Sequence, residues 1–175
     1  SLGAGGMQGE LGVMSHDAAL ALKSSAESRD IFIDAIISPP EDEADVDRLS
    51  QEMQTAVQAG ARAARTVIIP GRRYERFTTL AEYREYSARG RRMLELAAPI
   101  AEHFGLPLAV ENHKDHRLHE RLELFEHIDS EYVGACVETG NSLALLEDAL
   151  AAVTALAPWA HSVHLKDQAV EQYAD

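Results

Sequence analysis

Short apolar runs alternate along this chain with longer segments of helical periodicity. Residues 16–29, rich in Ala, Leu, Lys and Glu, predict a helix. Residues 31–37 form a β-branched apolar run stopped by Ser38-Pro39-Pro40, which predicts a buried strand. Val46, Leu49, Met53, Ala56 and Val57 recur at helical spacing, and Gly60 is placed to end that helix. A strand is expected at 66–69, closed by Pro70-Gly71. Thr79 and Glu82 form a capping-box pattern. They open a long helix that Gly105 ends and that Pro99 should kink. Strands at 106–110, 132–137 and 160–165 then alternate with helices at 117–128 and 142–155. The tail, 167–175, is acidic and polar, with a last hint of structure at Ala169-Val170.

Five strand–helix alternations are the rhythm of a parallel sheet. Strands apolar on both faces are expected, because a parallel sheet is covered on both sides. No Gly-x-Gly-x-x-Gly follows any strand, and no phosphate-binding Gly-x-x-x-x-Gly-Lys-Ser/Thr is present. Instead a polar residue closes one strand after another: Glu111, Glu138 and His164. Barrels assemble their active sites at that end of the strands. The expected fold is therefore α/β, of the (β/α)8 TIM-barrel type. It is incomplete, with about five β/α units against the eight of a closed barrel. Residues 1–10 read as a flexible N-terminus or cloning remnant, and 11–175 as a partial barrel domain. Bare parallel edges are an association hazard. A homo-oligomer, or completion by residues outside this sequence, is expected.

Composition narrows the partners. Lys and Arg number 16 against 29 Asp and Glu, a formal net charge of −13 over 175 residues. Such a surface repels phosphate backbones, so nucleic acid is not expected as a partner. No apolar run reaches the ~18 residues of a membrane helix. The one cysteine, Cys136, allows no internal disulfide and fits a reducing cytoplasm. In its strand it reads as an inert buried thiol. His116, His119 and His127 read as surface residues, and Trp159 as packing.

Glu111, Glu138 and His164 offer carboxylate oxygen and imidazole to one divalent ion, Mn, Mg, Co or Zn. Such an ion chelates neighbouring hydroxyl and carbonyl oxygens of a sugar and stabilises an enediolate. A carboxylate within reach serves as base. By strand alternation His113 shares a face with Glu111, and Lys166 with His164. Both are candidates to bind substrate. Asn141 is a third, and also a plausible helix N-cap. Arg72 and Arg73 follow the third of the barrel's strands and could attract a phosphate or an acidic sugar; a solvated basic pair is the simpler reading.

Three stretches, Val110-Glu111-Asn112-His113-Lys114-Asp115, Cys136-Val137-Glu138-Thr139-Gly140-Asn141 and Val163-His164-Leu165-Lys166-Asp167, resemble the xylose-isomerase-like barrel superfamily. That group holds sugar and sugar-phosphate isomerases and epimerases, and endonuclease IV. The resemblance implies a metal held by Glu, Asp, His and a final Glu from strands 4, 5, 6 and 8. Glu111 matches the first, Glu138 the second and His164 the third. Glu138 departs from the usual Asp, and the strand-8 Glu lies beyond this sequence. Glu111 is implied as one of two acid/base carboxylates. The implied function is metal-dependent isomerisation or epimerisation of a sugar, sugar phosphate or related polyol, weak or absent in this chain alone. A barrel that binds a ligand or partner without turnover is the alternative. An abasic-site endonuclease ranks third, because Asn141 stands where that enzyme has an extra His.

Overall fold

The computed structural model describes residues 3–167, so the hint at Ala169-Val170 lies outside the described residues. Six parallel strands lie side by side in chain order, and a helix carries the chain back between each consecutive pair. They are β1 (Gly6–Gly9), β2 (Phe32–Ile36), β3 (Ala61–Thr66), β4 (Leu108–Glu111), β5 (Val133–Glu138) and β6 (Ala160–His164). The helices are α1 (His16–Glu27), α2 (Val46–Gln58), α3 (Arg73–Arg76), α4 (Leu80–Phe104), α5 (Leu118–Ile128) and α6 (Ala149–Leu156). The result is a half-barrel, an incomplete version of the expected TIM barrel.

The strand count corrects the sequence reading from five to six. Gly6–Gly9, taken there as part of a flexible end, pairs in parallel with β2, Gln8 standing opposite Asp34. Its Gly-Met-Gln-Gly has no apolar run to betray it. At Gly6 the Phe32 ring lies close against the strand: a Cβ there would fall 2.2 Å from it unless the ring moved.

β3 also moves. It covers Ala61–Thr66, and the expected strand at 66–69 is the chain leaving the sheet. Ile68 and Ile69 are buried all the same, and Ile68 packs so tightly on α4 that a Cβ on Gly90 would lie 1.9 Å from its Cγ2. The expected helix at 142–155 splits into a 3-10 turn over Asn141–Leu145, a left-handed Leu146 (φ 59°) and then α6. Asp148 caps α6 by accepting from Ala151 N. At α4 both bonds of the Thr79/Glu82 capping box are present, Gly105 takes the left-handed C-cap, and the helix runs through Pro99.

The two faces of the sheet differ, contrary to the expectation of apolar character on both. The outer face carries Ala35, Ile37, Ala64, Leu108, Val110, Val133, Ala135 and Val137. These pack against Leu49 and Met53 of α2, Leu94 and Ala97 of α4, and Phe125 of α5. Trp159 stacks on Phe125, 5.5 Å between centroids, as packing. By alternation the opposite face, which would line the barrel, carries Gln8, Asp34, Arg65, Glu111, Glu138, Ser162 and His164. Among the described residues nothing pairs beyond β1 or β6. Val163 and Leu165 beside the β6 edge are 54% and 87% exposed. No helix among the described residues is long and apolar enough to cross a membrane.

Candidate active site at the strand ends

β4 delivers Glu111 as its last residue, 4% exposed. Its Oε2 accepts from Arg65 Nε at 2.7 Å and from Arg65 Nη2 as well. Its Oε1 is 3.4 Å from Asn141 Nδ2. His164 closes β6 and points Nδ1 at Glu111 Oε2, 3.7 Å away. On its other side His164 Nε2 meets Gln8 Oε1 at 3.0 Å. Because a Gln carbonyl only accepts, Nε2 is the donor there, which leaves the Nδ1 lone pair facing Glu111 in the neutral ring. Gln8 is thus the outer partner that fixes the orientation of a ligand-competent imidazole.

Glu138 ends β5, directly in register with His164. Asn112, just past β4, sets its position. The Asn112 amide donates to Glu138 O at 2.9 Å and accepts from Glu138 N at 2.6 Å, so a side chain extends the β4–β5 ladder by one rung. The Glu138 carboxylate turns to Gly140 N (3.1 Å) and Lys166 Nζ (2.8 Å). Lys166 Nζ also donates to Asn141 Oδ1 at 3.0 Å. Asn112→Ala leaves two buried backbone groups of Glu138 unpaired, at about 1–3 kcal/mol each. The expected result is a loss of about 2–6 kcal/mol in urea unfolding; a loss under about 0.5 kcal/mol would show that water replaces the amide.

Glu111, Glu138, His164, Asn141 and Lys166 therefore share one network at the C-terminal ends of β4, β5 and β6. His113 stands apart from it, its Nδ1 2.9 Å from Gly71 O on the loop after β3. Arg72 and Arg73 are paired with Glu75 and Glu120, at 2.7 and 2.8 Å. His116, expected on the surface, is buried between Asp115 and Ser87. Sequence reasoning missed Arg65, Gln8 and Asn112. The signal for Arg65 was positional: Gly60 ends α2, so the next strand had to start at once.

A family model described as a xylose isomerase-like TIM barrel matches residues 10–174. The chain belongs to that family. No curated protein sequence matches it. The xylose isomerase domain protein of Planctomyces limnophilus superposes with a TM-score of 0.66 at 15% identity, over 87% of this chain and 60% of that one. The 3-keto-D-glucoside 4-epimerase of E. coli gives 0.70 at 10% identity, over 87% and 65%. A D-psicose 3-epimerase crystallised in the presence of D-fructose gives 0.69 at 16%, over 86% and 58%. The chain thus spans about three fifths of these similar structures.

The family implies a divalent ion, and the residues present fit one in part. Glu111 Oε2 and His164 Nδ1, 3.7 Å apart, are spaced as two donors to one ion. Among the described residues the one trio of possible ligands within 4.8 Å of one another is Glu111, Cys136 and His164. Glu138 stands outside it, drawn to Lys166. Cys136 lies beneath the mouth, in register with Glu111. Burial, with the Glu111 charge beside it, pushes its thiol up to about 12, so it remains a neutral thiol.

Proposed function

We propose that this chain carries the catalytic half of a metal-dependent sugar isomerase or epimerase. One observation carries the reading: Glu111 and His164 aim donor atoms at a common point at the strand ends, with Glu138 in register beside them. Glu111, Glu138 and His164 would hold the ion. When bound, a divalent cation supplies Lewis acidity that polarises a substrate carbonyl. Glu111 is the base that takes the proton from the carbon beside that carbonyl. Arg65 fixes the rotamer of this carboxylate through Oε2, and Oε1 faces Asn141 Nδ2. Lys166 and Asn141 orient substrate oxygens, and His113 contributes from the rim through its free ring nitrogen. The substrate is a sugar, sugar phosphate or related polyol, in keeping with the epimerases of similar fold.

The test is solvent exchange. The chain, with Mn2+, is incubated with a panel of aldoses, ketoses and keto-sugars in D2O, and loss of the C–H signal beside the carbonyl is followed by NMR. Exchange at one carbon of one substrate is expected. Its absence across the panel, in a folded protein that binds Mn2+, supports instead a barrel that binds without turnover. The pairing of both carboxylates with the chain's own cations is what favours that second reading.

A further inference from the structure

Among the described residues, Glu111, Glu138 and Asp34 of the inner face are each matched by a cation of the same chain. Arg65 sits on Glu111, Lys166 Nζ lies 2.8 Å from Glu138, and deeper in the sheet Arg62 Nε lies 3.9 Å from Asp34. The fixed charges of Glu111, Glu138 and Asp34 are thus cancelled by those of Arg65, Lys166 and Arg62. A divalent ion added to these six residues leaves them at +2. Two cations resting on the ion's own ligands repel it and occupy its oxygens. A neutral sugar does nothing to relieve that excess, which is largely shielded from water at Glu111 and Arg65.

We infer that the substrate of this site is a sugar acid, a polyhydroxylated carboxylate received by Arg65 and Lys166. The inference rests on the metal-centre reading above and narrows its substrate class. With an ion held there, Arg65 and Lys166 would exchange Glu111 and Glu138 for the substrate carboxylate, which lowers the excess from +2 to +1. The donors are available. Among the described residues Arg65 Nη1 has no hydrogen-bond partner, and Lys166 Nζ uses two of its three donors, on Glu138 and Asn141. A guanidinium presents its N–H groups as a planar fork that fits a carboxylate, which a hydroxyl does not match. The remainder of the chain is strongly acidic, so an anion is held here by local charge alone.

Mn2+ binding tests this without turnover. Free Mn2+ is titrated by EPR against the whole chain, alone and with saturating D-gluconate or its neutral counterpart D-glucitol. Gluconate's own Mn2+ binding is measured in protein-free samples and subtracted. Gluconate should tighten Mn2+ binding roughly tenfold or more, and glucitol should leave it unchanged. Arg65→Gln should bind Mn2+ more tightly than the parent when no anion is present, because a competing cation has gone, and should lose the gluconate effect. Arg65→Lys should retain part of it, and Lys166→Gln repeats the measurement should Arg65→Gln fail to fold. Equal effects of gluconate and glucitol, or an undiminished gluconate effect in a folded Arg65→Gln, overturn the sugar-acid assignment and leave the metal centre standing. No Mn2+ binding in any sample overturns both.

Discussion

Glu111→Gln should remove proton exchange while leaving the chain folded. The substitution keeps the shape of the side chain, and its amide oxygen can still accept from Arg65. It removes the carboxylate proposed as the base, and it replaces an anionic metal donor with a neutral one. Loss of a positioned general base costs about 10²–10⁴-fold in rate. Weaker Mn2+ binding multiplies that loss at limiting metal. The measurement is the NMR exchange rate at saturating Mn2+, paired with the EPR titration. A variant that binds Mn2+ weakly yet exchanges at the parent rate once saturated would transfer the base role to Glu138. Arg65 makes the comparison sharper. With Glu111 neutral, the guanidinium is left partly buried beside an uncharged partner, 20% exposed, and a stability loss of about 1–3 kcal/mol is expected from that alone.

The strand ends were legible because Glu111 and Glu138 each close an apolar run, and a polar residue so placed in a parallel α/β chain lies at the barrel mouth. The inner face was not legible, and the reason is physical. That face carries Gln8, Asp34, Arg65, Glu111, Glu138 and His164, so these strands present only one apolar face. β3 reads Ala-Arg-Ala-Ala-Arg-Thr, and its small outward alanines give no hydrophobic run to set against the arginines. The search for an apolar run slid forward to Val67, Ile68 and Ile69, which are core residues just beyond the strand. Arg65 was lost with the register. β1 escaped for the same reason, and with it Gln8, which orients His164. His116 was read as exposed because it borders an amphipathic helix. Its burial follows from Asp115, whose charge is held by an arginine six residues on and could not be placed from local pattern.

That pair carries a large expected stability effect. Asp115 is 0% and Arg121 1% exposed, and Arg121 Nη2 donates to both carboxylate oxygens, at 2.8 and 2.7 Å. His116 Nδ1 lies 3.3 Å from Asp115, and His116 Nε2 is 2.8 Å from Ser87 Oγ on α4. The network therefore anchors the segment that follows Glu111 and Asn112 to both α5 and α4. Asp115→Asn preserves the shape but leaves a buried guanidinium without its counter-charge. Among the described residues Arg121 Nε and Nη1 already have no hydrogen-bond partner, and none is placed to take over. Removing one member of a buried pair costs about 3–5 kcal/mol. Its pH dependence has a definite sign. Burial alone would raise the Asp115 carboxyl, but the Arg121 charge and the His116 hydrogen bond outweigh it and hold the group well below the usual carboxylate range. A depressed folded value means the stabilisation is complete above the unfolded value of ~3.9 and is lost as pH falls through the folded one. Urea unfolding of parent and variant should thus differ by a constant amount from about pH 8 down to about pH 5, and the gap should narrow only below about pH 4. A gap that already narrows well above pH 5 would show that the Asp115 carboxyl is not the group responsible. A gap under about 1 kcal/mol at neutral pH would mean that water reaches Arg121 once the charge is gone.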